Sequence, residues 1–323
     1  MYSKELADAM KAYLDSTEYP YSFFDDEGLF VLTVHQPGKI EYIDYGIFVD
    51  EHSYYLCAEL ENLSIDVTNI TAVSEYLHRI NSNYSILFYP GFESKTIRCK
   101  QVVNCDGIKP TDEFIKSFLF LIPDMIKVFG DGLIDVIKKE SSPEAIFDRY
   151  EKYGNYVEKE TYSDKIFNVI KGFLNLQGLS YEVCPSKSGN NIYIMFKMNI
   201  NSKLEQTIFT INICKNTYSV YAYLDFDIKE EAIDTLSEYL HRINSYCLFS
   251  NFEFAIDKKM IYSTSWVNCV GITPSYEMIK ESIYDVKELI EDWGDFLADI
   301  VDGKQPDKEK FEQIINELLE AGG

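Results

Sequence analysis

Ser-Glu-Tyr-Leu-His-Arg-Ile-Asn-Ser, residues 74–82, occurs again without any change at residues 237–245. Nine consecutive identities about half a chain apart indicate that a structural unit has been duplicated. In the first copy the apolar residues follow the i, i+3, i+4, i+7 spacing of one helix face, and they are Val73, Tyr76, Leu77 and Ile80. In the second copy they are Leu236, Tyr239, Leu240 and Ile243. The stretch therefore predicts one amphipathic helix in each of two tandem repeats.

A second pair of segments recurs after these helices. Residues 104–110, Asn-Cys-Asp-Gly-Ile-Lys-Pro, correspond to residues 268–274, Asn-Cys-Val-Gly-Ile-Thr-Pro. Both segments predict a turn from a strand into a long helix, because glycine supplies a permissive backbone and proline suits a first helical turn. The alternative is a reactive thiol at Cys105 and Cys269, which requires a nearby base and an electropositive setting, whereas the surrounding chain is acidic.

Segments of alternating hydrophobicity predict strands that have one buried face. A clear example alternates over five apolar positions, Ile192, Ile194, Phe196, Met198 and Ile200. Short polar turns separate such segments in the first repeat, which predicts antiparallel hairpins because a parallel pair needs a long crossover. The sequence thus predicts an α+β protein of two tandem repeats, residues 1–158 and 159–323, each an antiparallel sheet packed with helices. The predicted order in each repeat is α-β-β-β-β-α-β-β-α, followed by a short C-terminal helix.

Acidic residues dominate the charge of the chain. Of 323 residues, 53 are acidic and 30 are basic, which gives a formal net charge of −23. Such a surface repels a phosphate backbone, so we expect no nucleic-acid partner, and the same repulsion argues against docking on anionic lipid. No apolar run approaches the roughly 20 residues of a membrane-spanning helix, so no membrane partner is expected either.

The cysteines and the first residues predict a cytoplasmic location. Seven cysteines, an odd number, are scattered without the spacing of a metal site. The first residues lack the basic segment and apolar run of a secretory signal. We therefore expect reduced thiols in a cytoplasmic protein. We expect no cofactor, because no P-loop, dinucleotide fingerprint or G-x-S-x-G motif is present.

His78 and His241 occupy the same position in the two copies and are candidate functional residues. Both lie off the apolar face of the predicted helix, and each is adjacent to a glutamate and arginine pair with i, i+4 spacing. These pairs are Glu75 with Arg79 and Glu238 with Arg242. The position predicts histidines on a solvated helix face. No second histidine or cysteine stands at ligand spacing, so metal binding is not expected.

Aromatic residues give a mild indication of a recognition surface, with 25 tyrosines and 21 phenylalanines in the chain. Tyr221 and Tyr223 alternate with apolar neighbours and are therefore expected on the outer face of a sheet. Tyrosine is enriched at recognition surfaces because it combines apolar area with a polar tip, although core filling and β-propensity explain such residues equally well. The candidate binding residues are Tyr221, Tyr223, His78, Arg79, His241 and Arg242.

The order of the motifs resembles that of the bacterial YbjN-like domain. The motifs are a helix ending in Tyr-Leu-x-Arg-Ile-Asn, a strand with Phe88 or Phe252–Phe254, and a strand leading to Gly-Ile-x-Pro and a long helix. The resemblance covers both copies and implies the fold of type III secretion chaperones. It carries over no catalytic residue, because these motifs concern packing and turns. The tandem copy departs from the family pattern and suggests a pseudo-dimer within one chain.

The resemblance implies a binding module, since several proteins with this fold pair as dimers and hold extended segments of partners. We therefore expect a non-catalytic protein- or peptide-binding or scaffold module, monomeric, whose repeats pack through apolar surface. The alternative is a small-molecule or regulatory sensor that binds in the cleft between the repeats, because pockets favour domain interfaces. A third hypothesis is an enzyme that pairs Cys105 or Cys269 with His78 or His241. Exposed aromatics and a free sheet edge would favour the first hypothesis, and a deep enclosed pocket the second.

Overall fold

The computed structural model describes residues 2–36, 38–60, 63–81, 86–91, 95–147, 162–186 and 190–321. It confirms the predicted α+β class, with two antiparallel six-stranded sheets that are accompanied by helices. The first repeat contains α1 (Lys4–Ser16), β1 (Ser22–Phe24), β2 (Leu29–His35), β3 (Tyr42–Val49), β4 (Ser53–Leu60), α2 (Ile70–Asn81), β5 (Leu87–Gly91), β6 (Thr96–Asn104), α3 (Asp112–Ile137) and the described part of α4 (143–147). The second contains α5 (Asp164–Leu176), β7 (Tyr181–Pro185), β8 (Ile192–Asn199), β9 (Gln206–Ile213), β10 (Thr217–Leu224), α6 (Ile233–Tyr246), β11 (Asn251–Ala255), β12 (Met260–Asn268), α7 (Tyr276–Val301) and α8 (Lys308–Ala321). The predicted boundary at Glu158 lies outside the described residues.

Both sheets have the same strand order. The first is β1-β2-β3-β4-β6-β5 and the second is β7-β8-β9-β10-β12-β11, with antiparallel neighbours throughout. The ladder between β4 and β6 pairs Ser53 with Asn104, and the ladder between β10 and β12 pairs Thr217 with Asn268. Because both asparagines belong to the recurring turn segment, the two ladders can be compared position by position.

One face of each sheet packs against helices and forms a hydrophobic core within each repeat. Alternate residues of β3 are buried, as a strand with one covered face requires. The long helices α3 and α7 cover the sheets, and they bring Phe118 and Trp293, both fully buried, into the two cores. Complete burial of such side chains contributes about 1.5–3 kcal/mol each to folding. No helix among the described residues is long and apolar enough to cross a membrane.

The segments 104–110 and 268–274 form the predicted turn from strand into helix. In each, the asparagine Oδ1 accepts a hydrogen bond from the backbone N–H two residues later, at 2.6 Å in the first copy and 2.9 Å in the second. Gly107 and Gly271 follow with φ angles of +71° and +70°, a conformation in which most other residues are strained. The recurring sequence therefore encodes a local backbone shape.

These turns also dock the two repeats on each other in a reciprocal way. A Cβ atom at Gly107 would lie 3.1 Å from the Cβ of Ser275, and one at Gly271 would lie 2.6 Å from Thr111 Oγ1. Thr111 and Ser275 are the N-caps of α3 and α7, and Ser275 Oγ also donates a hydrogen bond to the Asp106 carbonyl at 2.8 Å. The turn of each repeat thus contacts the start of the long helix in the other.

A second reciprocal contact joins the duplicated helices. Helix α2 contacts α6 and β11, while α6 contacts β5, so the edge strands β5 and β11 each meet a helix of the other repeat. Lys100 of β6 is buried, and its Nζ donates hydrogen bonds to the carbonyl oxygens of Asn244, at 2.6 Å, and Cys247 at the end of α6. A cation stabilises the C-terminal end of a helix. Buried polar groups therefore contribute to the interface between the repeats, which the sequence predicts to be apolar.

Candidate functional site

A cleft between the repeats gathers most of the candidate residues. Its volume is about 860 Å³, and the described residues leave it open to solvent. The outer face of the second sheet forms one wall, α2 and α4 of the first repeat contribute the other, and the turn between β11 and β12 lies beside both. Tyr221, Tyr223, His78 and Arg79 line this cleft together.

The sheet wall is rich in tyrosine. Tyr221 and Tyr223 lie on the face of β10 opposite its buried apolar residues, as the alternation predicts. Tyr262 pairs with Tyr223 across the ladder, and its ring centroid lies 5.6 Å from that of Tyr221 and 6.0 Å from that of Tyr223. Burial raises the pKa of both β10 tyrosines. At neutral pH the wall therefore presents aromatic faces and uncharged hydroxyl groups.

The first repeat differs from the second at this wall. The shared register places Cys57 and Glu59 of β4 where β10 carries its two tyrosines, and Arg98 of β6 where β12 carries Tyr262. Arg98 Nε lies 3.2 Å from Glu59 Oε2 and forms an ion pair with it. The tyrosine wall, formed by Tyr221, Tyr223 and Tyr262, is thus a property of the second sheet, and the equivalent surface of the first sheet is charged.

Arg79 connects the two walls of the cleft. Its Nη2 lies 2.8 Å from Oε1 of Glu75, one turn earlier on α2, and its Nη1 lies 3.0 Å from Oδ2 of Asp257, in the turn between β11 and β12. Burial and the neighbouring carboxylate of Glu144 raise the pKa of Glu75, although Arg79 acts in the opposite direction. Hydrogen bonds lower the pKa of Glu144, and the one with the Ser142 side chain has the largest effect. The carboxylate of Glu144 therefore stays ionised.

His78 and His241 stack face to face across the interface between the repeats. Their ring centroids are 4.1 Å apart with an angle of 23° between the planes, and the two residues are 1% and 0% exposed. The expectation of a solvated helix face is therefore wrong, because α2 and α6 cover each other there. His78 lines the cleft, whereas His241 is not part of its lining.

The stacked rings are held in their neutral form. Burial lowers the pKa of His241 to about 4. Burial, with a smaller contribution from His241, lowers the pKa of His78 well below its ordinary value. One backbone carbonyl faces each ring and partly offsets the lowering of its pKa. The oxygen of Ser74 lies 3.3 Å from His241 Nε2, and the oxygen of Ser237 faces His78 without reaching hydrogen-bond geometry.

Glu253 lies next to this pair and was missed in the sequence. Its Oε2 is 3.8 Å from His78 Nδ1, and the residue is fully buried. Burial raises the pKa of Glu253 well above its ordinary value, while a hydrogen bond from the Asn251 amide opposes the change. Glu253 alternates with two buried phenylalanines of β11, so it lies on the face of that strand that the first repeat covers.

Arg242 lies outside the cleft. Its Nη2 pairs with Oε1 of Glu238 at 2.8 Å on its own helix, and its side chain is 41% exposed. Four of the six candidate binding residues therefore share one cleft, and His241 and Arg242 do not belong to its lining.

The candidate nucleophiles and metal ligands are not assembled into a reactive centre in the part of the chain that the structure describes. No group of three His, Cys, Asp or Glu side chains is placed there to hold a metal ion. The stacked rings of His78 and His241 direct their nitrogens along roughly parallel planes, which do not converge on one point. Burial raises the pKa of Cys105 to about 12 and also raises that of Cys269, which disfavours a nucleophilic thiolate.

A sheet edge borders the cleft. Among the described strands of the second sheet, β7 is the outermost, and it pairs with β8. Its Cys184 is part of the cleft lining. The backbone groups of an edge strand are available for pairing with another chain. An incoming segment could therefore reach the tyrosine wall and the strand edge at the same time.

The cleft, the stacked histidines and the edge strand are the features from which a function can be argued. Comparisons of the chain with protein-family models, with curated proteins and with solved structures gave no match.

Proposed function

We propose that this chain is a non-catalytic binding module that holds a segment of a partner protein in the cleft between its repeats. The observation that carries the proposal is the open, tyrosine-lined cleft beside the β7 edge. Small-molecule sites usually bury most of their ligand's surface. An open cleft beside a sheet edge instead suits an extended segment that adds to the sheet and places alternate side chains in the cleft.

The resemblance to YbjN-like domains agrees with this proposal and remains a hypothesis. The reciprocal contacts of α2 with α6, and of the two glycine turns with the opposite long helices, support an intramolecular pseudo-dimer and a monomeric chain. In that arrangement the two repeats are not equivalent binding units, because the second sheet carries the tyrosines and the first carries the Arg98–Glu59 ion pair.

A regulatory sensor for a small molecule is the second candidate. The observation that favours it is the position of the cleft at the interface, where His78 and Arg79 of the first repeat meet residues of the second. A ligand bound there would touch both repeats and could shift their relative stability. A partner segment would have the same effect, so the two candidates differ in the size of the ligand.

The test measures which peptides of a random heptapeptide library are retained by the immobilised full chain, and it compares three proteins. Ala255→Trp fills the cleft, since Ala255 lines it, and Ala12→Trp adds the same side chain to an exposed position of α1. We expect the wild type and Ala12→Trp to retain the same peptides and Ala255→Trp to lose them, with circular dichroism confirming that all three are folded. Equal retention by Ala255→Trp would show that the cleft is not the binding site.

A further inference from the structure

The lining of the cleft indicates the charge of its ligand. We propose that the bound segment presents an arginine or lysine side chain whose charged end lies between the tyrosine wall and the carboxylates of Glu75 and Glu144. This inference rests on the proposed function and specifies the chemistry of the ligand.

Carboxylates outnumber cations on the lining. Glu75, Glu144 and Asp257 face the cleft together with Arg79 and Lys258. Arg79 already pairs with Glu75 and Asp257. Glu144 is exposed, and its carboxylate faces that of Glu75 closely enough for each to shift the pKa of the other. An added cation would reduce the repulsion between these carboxylates, whereas an anion would increase it.

Two buried polar groups on the same lining form no hydrogen bond among the described residues, although Nδ1 of His78 faces the buried carboxyl group of Glu253 at 3.8 Å. Neither ring nitrogen of His78 has a hydrogen-bond partner, and neither has Oδ1 of Asn212. His78 is fully buried and neutral, so one of its nitrogens offers a lone pair. Guanidinium and ammonium groups carry donors only, and they are therefore the side chains whose hydrogen-bonding groups complement these acceptors.

The tyrosine wall suits the same ligand. Cations are attracted to the face of an aromatic ring when they lie within about 6 Å of its centroid. Tyr221, Tyr223 and Tyr262 together offer such faces. The formal net charge of −23 also increases the rate at which a cationic segment reaches the surface. An uncharged apolar segment would match the rings and leave the excess negative charge of the lining uncompensated.

The probes are four blocked heptapeptide libraries whose central position is arginine, lysine, citrulline or norleucine and whose other positions are random but exclude arginine and lysine. Citrulline has nearly the shape of arginine without its charge, and norleucine is an apolar counterpart of lysine. We expect the wild-type chain to retain the arginine and lysine libraries roughly fivefold to thirtyfold more strongly than their neutral counterparts. Equal retention of charged and neutral libraries would overturn the proposal.

Two charge variants separate recognition in the cleft from general attraction. Glu144→Gln removes a carboxylate of the lining, and Glu309→Gln removes one from the exposed face of α8, so both change the net charge by the same amount. We expect Glu144→Gln to lose most of the preference for cationic libraries and Glu309→Gln to keep it. Similar losses in both variants would mean that the preference reflects the charge of the whole chain, and the proposal would be wrong.

The two proposals can fail separately. If all four libraries bind equally well and Ala255→Trp abolishes their binding, the cleft is a peptide site without a charge preference, and only the present inference fails. If the wild type retains none of the libraries better than Ala255→Trp does, the proposed function fails and this inference fails with it.

Discussion

The stacked histidines make the stability of the chain depend on pH in a direction that can be worked out. The pKa of His241 falls from its ordinary value of 6.5 to about 4 because the ring is fully buried. Between these values the unfolded chain binds more protons than the folded chain, so acid favours unfolding. The stability that depends on neutral His241 is therefore complete above pH 6.5 and is lost as the pH falls towards 4.

The size of this effect follows from the same pKa values. Each pKa unit corresponds to about 1.4 kcal/mol, so the change at His241 corresponds to about 3 kcal/mol when fully developed. His78 adds to it, because its pKa is lowered and because protonation of both rings would place two positive charges about 4.1 Å apart. Glu253 acts in the opposite direction: its raised pKa contributes stability that is present in acid and is lost as the pH rises through that pKa.

The assay is urea denaturation of the wild type and of the double variant His78→Phe, His241→Phe, which keeps two stacked rings that cannot be protonated. Contributions from acidic groups distant from the pair occur in both proteins and largely cancel in the comparison. Glu253 lies 3.8 Å from His78, so a third protein that adds Glu253→Gln to the double variant measures its contribution separately. On going from about pH 7 to about pH 4.5, we expect the wild type to lose at least about 2–3 kcal/mol more stability than the double variant, because His78 adds to the contribution of His241. Losses that agree within about 0.5 kcal/mol would refute this account of the pair.

Three further predictions concern the contacts between the repeats. Gly271→Ala should lower the free energy of unfolding by about 2–4 kcal/mol, because it combines backbone strain with a Cβ that would lie 2.6 Å from Thr111 Oγ1. Gly303 has a similar φ, and a Cβ there would have no atom within 4 Å, so Gly303→Ala should lower the free energy of unfolding by only about 1–2 kcal/mol in chemical denaturation. Equal losses of stability in Gly271→Ala and Gly303→Ala would mean that the close approach to Thr111 is unimportant. Lys100→Met should cost about 2–3 kcal/mol by removing hydrogen bonds from a charged group to the end of α6, and unchanged or greater stability in urea would contradict this role. Residues 1–158 expressed alone should form a dimer by light scattering, since the surface that meets the second repeat can meet its own copy, and a monomer would contradict the pseudo-dimer.

The sequence predicts those features that depend on the local chain. Strand alternation correctly places Tyr221 and Tyr223 on the outer face, because the side-chain period of a strand fixes which residues share a face. The turn at 104–110 follows from its glycine and proline in the same way. Both features follow from short-range sequence, so no knowledge of distant contacts is needed.

The position of His78 and His241 could not be obtained from helical spacing. The spacing identifies the face that packs on a helix's own sheet, and it contains no information about a second surface that covers the opposite face. One signal was present: the identity of the copies extends to Glu75, His78 and Arg79, which are not part of the apolar face. Identity beyond the core face suggests a second packing surface. Glu253 and Glu144 gave no comparable signal, because their surroundings come from elements distant in sequence.

The face-to-face contact of two equivalent histidines has a consequence for how the halves of this chain can change. At most positions a substitution in one copy has no bearing on the other copy. At the stacked pair, each ring is the surface on which the other rests, so a larger side chain at His78 requires a smaller one at His241. The two copies are therefore complementary in shape at this point, and substitutions at position 78 and position 241 are coupled.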